Sequence, residues 1–66
     1  MNLDKLKGKM RERNVSQEVL SNQIGLSLSA FNNKINGKVN FDVKEAQAIG
    51  ALLALTDDEK ISIFLA

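Results

Sequence analysis

Residues 16–37 constrain the fold more than any other stretch of this chain, because they carry the same punctuation twice. A serine suited to capping a helix opens each half, at Ser16 and Ser27, and a glycine closes each half, at Gly25 and Gly37. A serine so placed accepts a hydrogen bond from a backbone N–H left over in the first helical turn. Glycine ends a helix because it enters the left-handed region without a side-chain clash. An apolar residue precedes each cap and another lies four positions beyond it, Val15 with Leu20 and Leu26 with Phe31. Each pair has the spacing of a hydrophobic staple, which fixes the angle at which the chain enters its helix. Two short helices joined by Gly25-Leu26-Ser27 must cross steeply. Leu20, Ile24, Leu26, Phe31 and Ile35 then supply the core between them, with the small Ser21 where they approach most closely.

The flanking sequence reads as further helices. Leu3, Leu6 and Met10 recur at helical spacing and predict a first helix from about Leu3 to Asn14 with these residues inward. Lys5, Lys9, Arg11, Glu12 and Arg13 take its other sides. Gly8 costs this helix about 1 kcal/mol relative to alanine, and reads either as a close helix contact or as a tolerated defect. The second helix runs to about Ile24 and the third over about 28–36. Asp42 and Glu45 have capping-box spacing for a fourth helix from about Val43 to Ala54, burying Ala46, Ile49, Gly50 and Leu53. Thr56 and Glu59 do the same for a short last helix whose Ile61, Phe64 and Leu65 share one face. No segment alternates as a half-buried strand does, and only the link from Lys38 to Phe41 reads as extended. The expectation is an all-α, compact five-helix domain over residues 1–66.

Composition removes several functions. The chain has 66 residues and no cysteine, histidine, tyrosine or proline. Without histidine or cysteine the commonest metal ligands and general bases are missing, and most of the acids stand at helix caps. No enzyme, metal site, cofactor or small-molecule substrate is expected. The charged N-terminus does not resemble a signal peptide, and no apolar run approaches the ~20 residues that span a bilayer, which predicts a soluble intracellular protein. The first helix is basic and amphipathic, but its apolar face is needed for the core rather than a membrane surface. Net charge is +4 over residues 1–40 and −3 over residues 41–66, an asymmetry that fits either a polyanion partner or an ordinary solvated surface.

The third helix separates these readings. At about 100° per residue, Phe31 and Ile35 define its inner face, while Ser29, Asn33 and Asn36 point the opposite way with Asn32 and Ala30 beside them. Asparagine is a poor helix-interior residue because its side chain competes for backbone hydrogen bonds. Three within five residues weaken a short helix. They suit base readout, since asparagine pairs bidentately with adenine in the major groove. Asn36 also suits a helix-ending role. Leu28 lies near the edge of the inner face, either in the core or against a thymine methyl. Candidate phosphate contacts are Gln17 at the start of the second helix, Lys9, Arg11 and Arg13 on the first, and Lys34, Lys38 and Asn40 on and after the third.

The pattern Ser16-Gln17, Leu20, Gly25, Ser27, Phe31 and Asn36-Gly37 resembles the Cro-type helix-turn-helix family of phage repressors, and the C-terminal sequence resembles a short subgroup from phages of Gram-positive bacteria. The resemblance implies a lambda-repressor-like fold binding double-stranded operator DNA, usually as a homodimer, in the cytoplasm of a bacterial host. It maps a phosphate-contacting glutamine onto Gln17 and base-reading positions onto Leu28, Ser29, Asn32 and Asn33, with Ser27 adjacent. Lys34 stands where the family often has an apolar residue, and Ile35 where it often has an acid, so the apolar slot has moved by one position. No second, oligomerising domain is evident, so a homodimer would use the domain itself, through Leu52, Ile63, Phe64 and Leu65. A protein-interaction module on the same scaffold, such as an antitoxin or anti-repressor, is the alternative function.

Overall fold

A computed structural model describes residues 1–65. It is an all-α domain of five helices: α1 Leu3–Glu12, α2 Gln17–Gln23, α3 Leu28–Ile35, α4 Val43–Leu52 and α5 Asp57–Phe64. Every helix starts at a side-chain cap. Ser16 Oγ accepts from the Val19 N–H and Ser27 Oγ from the Ala30 N–H, both at 3.1 Å. Asn2 caps α1. Asp42 with Glu45, and Thr56 with Glu59, form complete capping boxes.

Four of the helices end in one repeated way. The residue two past the C-cap returns its N–H to a carbonyl five positions back: Val15 to Met10, Leu26 to Ser21, Lys38 to Asn33 and Leu55 to Gly50, each at 2.9 Å. Between C-cap and return stands a left-handed residue, at Asn14 (φ 58°), Gly25 (φ 78°), Gly37 (φ 84°) and Ala54 (φ 52°). This is the Schellman arrangement, which satisfies carbonyls left over at a helix end. It also shortens two expected helices. The first stops at Glu12 rather than Asn14, and the fourth at Leu52 rather than Ala54, because Asn14 and Ala54 are the reversing residues.

Leu6, Met10, Leu20, Phe31, Ile35, Phe41, Ile49, Leu53, Leu55 and Ile63 form the core. Val15, Ile24 and Leu26 are half-buried against it, as the staple spacing and the α2–α3 crossing require, and Ser21 is buried with its hydroxyl donating to the Glu18 carbonyl at 2.9 Å. Ile49, Gly50 and Leu53 are buried on α4, with Ala46 half-buried. Two core residues lay outside the sequence reading. Phe41, in the extended link, packs its ring 5.7 Å from Phe31 and 6.2 Å from Phe64, and Leu55 follows the α4 turn.

The expected face of α5 is corrected. Ile61 and Leu65 are exposed, whereas Ile63 is fully buried. Contacts with α1 set this rotation. The Asn2 N–H donates to the Ile63 carbonyl at 2.6 Å, Lys5 Nζ donates to Ser62 Oγ at 2.7 Å, and Lys9 pairs with Glu59. Rising numbers on α1 meet falling numbers on α5, so the helices run past one another in opposite directions. Glu59, Ser62 and Ile63, spaced i, i+3 and i+4, form one stripe toward α1.

Gly50 packs closely on its neighbour, and a Cβ there, 2.7 Å from Lys60 Cδ, would make the Lys60 side chain shift. Gly8 makes no such contact, because nothing lies within 4 Å of the Cβ it lacks. The close-contact reading of Gly8 is therefore overturned. Among the described residues no helix is long and apolar enough to cross a membrane.

Candidate functional site

The outer face of α3 carries the candidate site. Its inner face is held by Phe31 and Ile35, both fully buried. Having an apolar residue at position 35 rather than 34 thus gives α3 an i, i+4 anchor. Ser29, Asn32, Asn33 and Asn36 are exposed on the remaining surface. Leu28 is 47% exposed, so the core option for it is overturned. Ser27 is exposed, with its hydroxyl engaged in the α3 cap. Asn36 is the C-cap residue, and its Nδ2 donates to Asn32 Oδ1 at 2.6 Å. Asn33 makes no side-chain hydrogen bond within the described residues, so its amide presents both donors and acceptor to solvent. No acidic residue occurs between Glu18 and Asp42.

The cations fall into two groups. Lys34 Nζ donates to both carboxylate oxygens of Glu45, at 2.6 and 2.7 Å. Lys9 pairs with Glu59 and, at 3.3 Å, with Glu12. The hydrogen bonds to Glu59 and Glu12 raise the Lys9 pKa above its ordinary 10.5. The Lys9 ammonium, reinforced by the Thr56 backbone N–H, holds the Glu59 carboxyl down at about 2. Lys9 and Lys34 are thereby neutralised within the domain, which leaves neither charge free for a phosphate. Arg13 keeps its charge, but its Nε donates to the Leu53 carbonyl at the end of α4, at 3.0 Å.

Lys7, Arg11 and Lys38 have no ion-pair or hydrogen-bond partner among the described side chains. Lys7 and Arg11 line a shallow cleft between α1 and α2 with Met10, Val15, Ser16 and Gln17. Gln17, half-buried, opens α2 at the cleft wall, and Asn40 is exposed in the link after Lys38. The structure thus brings Arg11 and Gln17 together and adds Lys7, which the sequence reading passed over. The signal was present. Lys5 and Lys9 share one side of α1, while Lys7 and Arg11 share another about 200° away, so both pairs cannot serve the same partner.

Among the described residues no buried side-chain nitrogen or oxygen lacks a partner, and no acidic cluster could hold a metal ion. Polar groups available for recognition are therefore those at the surface. Comparison with family models, with curated proteins and with solved structures finds no match to this chain.

Proposed function

We propose that this protein is a sequence-specific binder of double-stranded DNA and a transcriptional regulator of the phage-repressor type, with α2 and α3 as a helix-turn-helix and α3 lying in the major groove. The observation that carries the reading is the division of α3. Phe31 and Ile35 are fully buried behind it, and Ser29, three asparagines and Leu28 form its exposed side without an acid. A short helix with a neutral, hydrogen-bonding outer surface can approach base edges closely. Asn33, free of internal partners, is the principal reader, with Ser29, Asn32 and Leu28 beside it. Gln17, Lys7, Arg11, Lys38 and Asn40 hold the phosphates, which positions the helix without specifying sequence.

A homodimer belongs to this reading. Ile63 is excluded from the interface because it is fully buried. Val43, Ala46, Phe64 and Leu65 border an apolar groove between α4 and α5, and this groove takes a second copy about a two-fold axis.

Selection from a random duplex library, followed by footprinting of the winning site, tests the proposal. A defined site is expected. Asn33→Ala relaxes preference at one base position by about 1–3 kcal/mol and leaves the thermal midpoint unchanged. Gln17→Ala weakens binding to all sequences alike. Failure to enrich any duplex, or equal preference by wild type and Asn33→Ala, overturns it.

A further inference from the structure

Of the seven asparagines, Asn36 alone is followed by glycine. In such a pair the glycine backbone nitrogen can attack the asparagine side-chain carbonyl carbon. A new N–Cγ bond closes a five-membered imide, the amide C–N bond breaks, and the displaced nitrogen leaves as ammonia with the proton shed by the attacking nitrogen. Water then opens the imide at either carbonyl, giving aspartate or isoaspartate. A side chain on the second residue hinders the attack, and Gly37 has none.

The fold holds the pair away from this reaction in three ways. Asn36 has ψ 4°, which turns the Gly37 nitrogen away from the Asn36 Cβ, so the ring cannot close. The Gly37 N–H is committed to the Lys34 carbonyl at 3.1 Å. The Asn36 side chain is itself tied down, its Nδ2 donating to Asn32 Oδ1 at 2.6 Å. All three constraints belong to the last turn of α3. Asn36 is exposed, so water reaches it without further opening.

We infer that Asn36–Gly37 is a site of self-modification by deamidation, and that opening of the C-terminal turn of α3 sets its rate. The product changes that turn. A carboxylate at the C-terminal end of a helix is opposed by the helix dipole and cannot donate to Asn32. Isoaspartate also lengthens the backbone by one carbon inside the hydrogen-bonded cap. The chemistry does not depend on the DNA-binding reading. If that reading holds, the new charge faces the phosphates and weakens binding.

The test incubates the whole chain, native and denatured, in one mildly alkaline buffer. Time points are digested and mapped by mass spectrometry, with isoaspartate labelled enzymatically. Position 36 is expected to convert first in both samples, at least roughly tenfold more slowly in the native protein, as for a reaction gated by local opening. Asn32→Gly, which removes the acceptor for Asn36 Nδ2 and also lowers helix propensity at an exposed position, speeds native conversion and leaves the denatured rate unaltered. Earlier conversion at another asparagine, equal native and denatured rates, or no effect of Asn32→Gly overturns the inference.

Discussion

Ala54 occupies the left-handed region at φ 52°, a conformation that costs an L-residue about 1–2 kcal/mol. Glycine there removes the clash but gives the unfolded chain more freedom to lose. The balance favours Ala54→Gly by about 0.5–1 kcal/mol. Gly8 presents the reverse case, a helical glycine at φ below zero with open space where a Cβ would go. Gly8→Ala is expected to stabilise by about 0.5–1 kcal/mol. Urea titrations check both, each variant raising the midpoint at an unchanged slope. Gly25 and Gly37 announced their turns in the sequence because only glycine enters that region freely. Asn14 was a weaker signal, as the next most tolerant residue. Ala54 gave none, since alanine normally extends a helix, and the fourth helix was accordingly read two residues too long.

The joints between elements rest on two glutamates with double duties. Glu45 Oε1 accepts from the Asp42 N–H, completing the α4 cap, while the carboxylate binds Lys34 of α3. Glu59 Oε1 accepts from the Thr56 N–H, completing the α5 cap, while the carboxylate binds Lys9 of α1. Each fixes where a helix begins and what it leans on. The Glu59 pKa falls from 4.5 to about 2 in the folded protein, so its contribution is present above about pH 4.5 and lost as pH falls toward 2. The Lys9 contribution is present below pH 10.5 and lost as pH rises through its raised value. Glu59→Gln keeps a side-chain acceptor for the Thr56 N–H and removes the charge. It should lower the denaturation midpoint at neutral pH, with the gap from wild type closing between about pH 4.5 and 2. A constant gap across that range would mean that the ion pair contributes nothing. Both capping boxes were legible in the sequence, because their spacing is local. Their lysine partners were not, nor was the burial of Ile63 in place of Ile61 and Leu65. The Lys9 pair and the burial of Ile63 depend on how α1 meets α5 across some fifty residues of chain, and the Lys34 pair on how α3 meets α4. Phe41 was missed for the same reason, its ring being placed by Phe31 and Phe64 rather than by its neighbours in sequence.

Across the whole molecule, the +4 charge of residues 1–40 overstates what a polyanion can meet. Lys9 and Lys34 are neutralised by carboxylates, and Lys5 and Arg13 are held to α5 and α4. Lys7, Arg11 and Lys38 remain. This partition makes DNA binding quantitatively testable, because each phosphate neutralised releases condensed counterions and steepens the dependence on salt. These three free cations of the N-terminal forty residues predict a slope of log affinity against log salt of about −3 per protomer, and about −5 for a dimer. Gln17 and Asn40 carry no charge and add affinity without slope. Replacing Lys7 and Arg11 with glutamine should make the slope shallower by about 2 per protomer. These two side chains make no internal bond, so the thermal midpoint should hold. Lys34→Gln should do the opposite, lowering the midpoint by releasing Glu45 while leaving the slope as it was. Fluorescence anisotropy on the selected duplex at several salt concentrations, paired with thermal melts, separates the two behaviours. A slope that responds to Lys34 as strongly as to Lys7 and Arg11 would place the DNA on a different face of the domain.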